Sequence, residues 1–118
     1  MSKKDEFLAS FGHEGHINDI LDGHDHNLRR YAMRNITASS ENIDKGLSDD
    51  DNAVRYIAAK HPNANKAHID RALLDESPDV RRGAISNPEA TEEHAKLMQH
   101  DTDSWVRETA NRRLARTR

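Results

Sequence analysis

Asp49-Asp50-Asp51-Asn52-Ala53-Val54-Arg55-Tyr56-Ile57-Ala58-Ala59-Lys60-His61-Pro62 recurs along this chain. Moving 26 residues on gives Asp75-Glu76-Ser77-Pro78-Asp79-Val80-Arg81-Arg82-Gly83-Ala84-Ile85-Ser86-Asn87-Pro88. A further 26 gives Asp101-Thr102-Asp103-Ser104-Trp105-Val106-Arg107-Glu108-Thr109-Ala110-Asn111, and 26 back gives Gly23-His24-Asp25-His26-Asn27-Leu28-Arg29-Arg30-Tyr31-Ala32-Met33. Leu28, Val54, Val80 and Val106 align without gaps, as do Arg29, Arg55, Arg81 and Arg107, and the alanines 32, 58, 84 and 110. A fixed period of this length is the signature of stacked structural repeats. It predicts an all-α, short α-helical solenoid of about four 26-residue helix-turn-helix repeats.

Each unit reads as two short helices. The first follows His13, Ser39, Asn65 or Thr91, and three of these four are good N-cap residues. Apolar positions three or four apart follow on one helical face: Ile17/Ile20/Leu21, Ile43/Leu47, Ile69/Ala72/Leu73 and Ala95/Met98. The second helix follows Asp25, Asp51, Ser77 or Asp103, runs about nine residues, and stops before His61-Pro62 or Asn87-Pro88. Pro78 suits a first helical turn, where its missing amide has no partner to lose. The boundaries that follow are a cap at 1–12, repeats at 13–38, 39–64, 65–90 and 91–114, and a basic tail at 115–118. In the cap, Phe7, Leu8 and Phe11 would cover the first apolar face of the stack.

Composition fits this reading. Leu, Ile, Val and Phe number only 20 of 118 residues, a level associated with disorder, yet the net charge of −3 is too small for a disordered chain. A stack of repeats has a thin core, and 14 alanines supply close helix contacts in place of bulk. The absence of cysteine excludes disulfides, thiolate metal sites and a cysteine nucleophile. No apolar run approaches the ~18 residues of a membrane span, and the start lacks a signal-peptide core, so a cytoplasmic location is expected.

An arginine present in every unit first suggests a structural role. Arg55, Arg81 and Arg107 follow Asp49, Asp75 and Asp101 at a fixed spacing, and Arg29 holds the same place in the first unit. A planar guanidinium can bridge carboxylates or helix-terminal carbonyls between neighbours, so an Arg–Asp ladder is expected to hold the stack.

The pattern Asp-x-x-x-x-Val-Arg followed by Ala-x-x-x-Pro, carried by Asp49/Val54/Arg55/Ala58/Pro62 and Asp75/Val80/Arg81/Ala84/Pro88, resembles the leucine-rich repeat variant family. These are bacterial relatives of HEAT and armadillo repeats. The resemblance covers residues 13–114 and implies a right-handed superhelix of alternating short helices. The repeat here is slightly longer than is usual for the family, and the cysteine-bound iron–sulfur cluster of one known member cannot form. The family carries no catalytic motif to transfer.

Eight histidines invite a metal reading, with His13, His16, His24 and His26 beside Asp22 and Asp25 as the candidate ligands. The register argues against it. His16 shares a column with Asn42, His68 and His94, three residues past the N-cap, where a polar side chain can complete a capping box. Units stack roughly 8–10 Å apart, too far for one ion to gather that column. Asp49, Asp50 and Asp51 read as an exposed turn rather than an acid/base pair, and no phosphate loop or nucleophile elbow appears. No cofactor, small-molecule substrate or enzymatic activity is expected.

The second helices carry an outward pair of columns: Arg30/Arg34, Tyr56/Lys60, Arg82/Ser86 and Glu108/Arg112. Stacking turns these into a basic stripe containing Tyr56. Residues 107–118 add a local charge of +4, leaving −7 on the remainder. Trp105, the single tryptophan, falls in a mostly polar column and is expected to be partly exposed, which suits a binding anchor. The expected function is a non-enzymatic protein–protein interaction module (scaffold, adaptor or inhibitor) binding through Arg30, Arg34, Tyr56, Lys60, Arg82, Trp105 and Arg112. The alternative is nucleic-acid binding through the basic stripe and Arg-rich C-terminus.

Overall fold

The computed structural model describes residues 14–116. The expected N-terminal cap at 1–12, His13, and tail residues 117–118 lie outside the described residues. Eight helices and no strand occur among the described residues: α1 (Glu14–Leu21), α2 (His26–Met33), α3 (Ser40–Leu47), α4 (Asn52–Lys60), α5 (Lys66–Ala72), α6 (Pro78–Ser86), α7 (Glu92–Met98) and α8 (Ser104–Arg116). The described residues form an all-helical fold.

Local chemistry sets the helix starts. Asp25 accepts hydrogen bonds from the amides of Asn27 (3.0 Å) and Leu28 (3.2 Å), and Asp51 accepts from Ala53 (2.9 Å). Asp103 accepts from Trp105 (2.9 Å) and Val106 (3.0 Å). Ser77 departs from this pattern and makes no side-chain cap. There Pro78 removes one free amide, and Asp75 Oδ1 accepts from the Ser77 amide at 2.9 Å. The odd-numbered helices α3, α5 and α7 start with complete capping boxes, Ser39/Asn42, Asn65/His68 and Thr91/His94.

The helices lie in two rows. Within one row α2 packs on α4, α4 on α6 and α6 on α8; in the other, α1 packs on α3 and α3 on α5. Each odd helix also packs on the even helix that follows it. The core runs between the rows. Ile17, Ile43 and Ile69 on one side and Val54, Val80 and Val106 on the other are fully buried, as are Ala32, Ala58, Ala84 and Ala110. Each buried Ile or Val contributes roughly 1.5–3 kcal/mol relative to exposure. The alanine column permits the close approach: a Cβ on Gly46 would already stand 2.9 Å from that of Ala58.

Polar contacts recur with a 26-residue step and join neighbouring helices. In the first ladder, Arg29 Nε donates to Asp49 Oδ2 (2.8 Å), Arg55 Nε to Asp75 Oδ2 (3.0 Å) and Arg81 Nε to Asp101 Oδ2 (2.8 Å). The same guanidiniums donate through Nη1 to the carbonyl six residues back, Gly23, Asp49 or Asp75, at 2.7–2.9 Å. Each arginine thus ties its own turn to the next one. Arg107 keeps the carbonyl contact, to Asp101 at 2.7 Å. Hydrogen bonding to Asp49 raises the Arg29 pKa above its ordinary value against the opposing effect of burial. Burial alone would push the Asp101 carboxyl up, but the hydrogen bonds from Arg81 and the Asp103 amide hold it below the usual range.

A second ladder runs through the capping boxes. The Asn65 and Thr91 amides each donate to the Nδ1 of His68 or His94 at 2.9 Å. The proton therefore sits on Nε2, which faces Asp44 Oδ1 (3.1 Å) from His68 and Asp70 Oδ1 from His94. Asn42 plays the same part, donating to Asn18 Oδ1 at 2.6 Å.

A third ladder stands in the column Asn35, His61, Asn87, Arg113. His61 Nε2 donates to the Asn35 carbonyl (2.8 Å), Asn87 Nδ2 to those of Ala59 (2.9 Å) and His61 (3.0 Å), and Arg113 Nη1 to those of Ile85 (3.2 Å) and Asn87 (3.0 Å).

The last helix departs from the expected length. α8 runs 13 residues and takes in 115 and 116, which the sequence reading assigned to a tail. Leu114 occupies the column of Pro62 and Pro88, so nothing stops the helix, and its side chain is buried.

Candidate partner-binding face

The two rows differ in charge. The even helices carry ten Arg and Lys against Asp79 and Glu108, a net of +8. The odd helices carry seven acids against four bases, a net of −3. Three of the even-row arginines (Arg29, Arg55 and Arg81) are matched by ladder carboxylates. What remains on the outer side of that row is the candidate site.

Tyr56 and Lys60 lie side by side on α4, with Lys60 Nζ 5.5 Å from the Tyr56 ring centroid, within cation–π range. Both lean over α6 at Gly83. A Cβ there would stand 2.9 Å from Tyr56 Cδ2 and 3.2 Å from Lys60 Cγ, so this glycine makes room for the pair. On α6, the Arg82 guanidinium stacks 4.0 Å from the Trp105 ring centroid, and its Nη2 is 3.6 Å from Asp79 Oδ1. Trp105 remains 57% exposed.

Two hollows adjoin beneath these side chains. One, of about 330 Å³, is lined by Arg34, Ala53, Tyr56, Ile57, Lys60, His61 and Pro62. The other, of about 250 Å³, is lined by Asn52, Ala53, Tyr56, Asp79 and Arg82. Ala53 and Tyr56 belong to both. The first hollow combines carbon surface from Ala53, Ile57 and Pro62 with the cations Arg34 and Lys60, and the second sets Arg82 beside Asp79. His61 forms the back of the first hollow, with Nδ1 accepting from the Asn63 amide (2.9 Å). Burial, reinforced by His68, pushes its pKa below the ordinary value despite the opposing hydrogen bond to Asn35.

Of the residues singled out from sequence, Arg34, Tyr56, Lys60 and Arg82 line these hollows, and Trp105 stands against Arg82 but lines neither. Arg30 does not: it turns to the interhelix side, where Nε donates to Asp51 Oδ2 at 2.9 Å. Burial would raise the Asp51 carboxyl, and the Ala53 amide and Arg30 together hold it below its usual range. Arg112 is exposed on α8, its Nη2 3.5 Å from Thr109 Oγ1, and lines neither hollow. Asp49 and Asp51 are engaged by Arg29 and Arg30, while Asp50 is exposed and contacts Arg29 at 3.0 Å. Among the described residues, no group of three or more His, Asp or Glu side chains is placed to hold a metal.

Sequence reasoning missed Asn52, Ala53, Ile57, His61, Pro62 and Asp79 as lining residues.

Comparisons with protein-family models, curated proteins and solved structures gave no match to this chain. No helix among the described residues is long and apolar enough to cross a membrane.

Proposed function

We propose that the chain is a short α-helical solenoid of about four 26-residue units, similar to leucine-rich repeat variant and HEAT-like repeats. On this reading it works in the cytoplasm as a non-enzymatic module that holds a protein partner on the outer side of its even-helix row. One observation carries the proposal: half-buried Tyr56 and Arg82 with exposed Lys60 and Trp105 form an aromatic–cationic surface beside two hollows, at columns where the repeat demands no fixed residue. Aromatic residues and arginine are the side chains that dominate binding energy at protein interfaces.

The excess of positive charge on the even helices favours a second reading, binding to nucleic acid. Capture from host lysate by the wild-type chain beside Lys60→Glu/Arg82→Glu, with and without nuclease, separates the two. A stoichiometric protein band that survives nuclease and is lost in the variant is the expected result. A bound fraction that nuclease removes entirely would transfer the face to nucleic acid, and undiminished capture by the variant would rule this face out.

A further inference from the structure

Resting on that reading, we infer that the face accepts an acidic amphipathic peptide segment, with apolar side chains in the two hollows and carboxylates on Arg34, Lys60 and Arg82. Two properties of the site select this chemistry. The first is unmatched positive charge. Every ladder arginine from Arg29 to Arg81 has a carboxylate of its own chain at 2.8–3.0 Å. Arg34 and Lys60 have none among the described residues, and Arg82 has only the 3.6 Å approach of Asp79. The second is the recess. Ala53, Ile57, Pro62 and the Tyr56 ring present carbon surface at the centre of the cationic rim. A ligand with charge alone leaves that surface wet; one with carbon alone leaves the cations without counter-charge. Side chains three or four residues apart on a helix lie on one face, roughly 5–6 Å apart, so a segment bearing both groups on one face suits a rim and floor this close together.

The same details disfavour a phosphate backbone. A nucleic acid tracks a continuous positive groove, but the Arg34/Lys60 column is interrupted at Ser86 before Arg112. Asp79 lines the second hollow, and Glu108 follows one turn after Trp105. A fixed carboxylate repels phosphate, whereas a peptide can answer it with a lysine or an amide.

The test uses the full chain and a fluorescently labelled synthetic helical peptide with Glu and Leu on one face. Controls are a Lys/Leu peptide, a Glu/Ser peptide and a labelled single-stranded oligonucleotide, each followed by anisotropy. Saturable binding of the Glu/Leu peptide alone is expected, weakened at least about tenfold in Arg34→Glu/Lys60→Glu. Both side chains are exposed, so the variant should retain its thermal midpoint, and circular dichroism checks this. Equal binding of the Lys/Leu or Glu/Ser peptide, tighter binding of the oligonucleotide, or indifference to the double variant would each overturn the inference. Lysate capture that still depends on Lys60 and Arg82 while the Glu/Leu peptide fails would sink the peptide chemistry and leave the face standing. Failure of both would remove the face as well.

Discussion

Arg81 and Arg82 are consecutive on α6 and enter two different regions of the molecule. Arg81 is held from three directions: Nε and Nη2 donate to Asp101 at 2.8 and 3.0 Å, and Nη1 to the Asp75 carbonyl at 2.7 Å. Arg82 sits over the Trp105 ring, 4.0 Å from its centroid, with one loose carboxylate neighbour. The column of Arg81 holds arginine in all four units, while that of Arg82 reads Arg, Tyr, Arg, Glu. A side chain that bonds to the next unit must reappear wherever a next unit must be bonded. One that faces outward is free to vary, and its identity is set by whatever it meets. The ladder joins helices 26 residues apart, and Arg82 stands on their outer surface.

Removing a ladder arginine should therefore be the most damaging change. Arg55→Ala strips the fork from a largely buried Asp75 and leaves the Asp49 and Asp50 carbonyls without their donor. Breaking one half of a buried ion pair destabilises by about 3–5 kcal/mol. Urea denaturation should show a loss of that order, a large part of the stability of a domain this size. Arg55→Lys should recover little, because one ammonium cannot serve a carboxylate and a carbonyl on opposite sides. If Arg55→Ala shifted the urea midpoint no further than a surface substitution, the ladder would not be what holds the units together.

Much of this region was legible in the sequence because its parts repeat. The 26-residue step placed the helices, the caps at Asp25, Asp51 and Asp103, the capping boxes, and the residues of the Arg–Asp ladder. The ladder's connectivity was not legible: it is the backbone carbonyl, not the carboxylate, that meets each arginine from six residues back. Asn35, His61 and Asn87 also stand in register, but beside Pro62 and Pro88 the same positions read as helix ends, and a carbonyl partner leaves no mark in sequence. The face was harder, since a surface that does not repeat leaves no register to read. Phase put Arg30 on the stripe, and only the fold shows that Asp51, 21 residues away, takes it.

His61 belongs to the ladder region yet backs the face, and it gives the intermediate effect. Its Nδ1 accepts from the Asn63 amide and its Nε2 donates to the Asn35 carbonyl, so the buried ring is held neutral. The folded-state pKa lies below that of the unfolded chain, mainly through burial. The unfolded state therefore takes the proton first as pH falls. His61's contribution is present in full above the unfolded value of about 6.5 and declines below it. One proton limits the slope to about 1.4 kcal/mol per pH unit. His61→Asn imitates Asn35 and Asn87 of the same column without the titrating group. Urea midpoints at about pH 7.5 and pH 5 should differ less in the variant than in the wild type. An unchanged difference would assign the acid sensitivity to other groups.

The smallest effect on folding is expected on the outer side of the even-helix row. Arg82→Ala removes a cation whose contacts are one face of a half-exposed Trp105 and a carboxylate at 3.6 Å. Neither is a buried hydrogen bond, so the stability change should stay within about 0.5 kcal/mol, the range of ordinary surface substitutions. The stacked ring should nevertheless report the loss. Trp105 is the only tryptophan in the chain, and its emission should change when the guanidinium leaves its face. A shifted spectrum with an unmoved urea midpoint would separate this outer surface from the ladder that Arg55→Ala disrupts. A midpoint displaced as far as in Arg55→Ala would mean that Arg82, too, is part of what holds the units together.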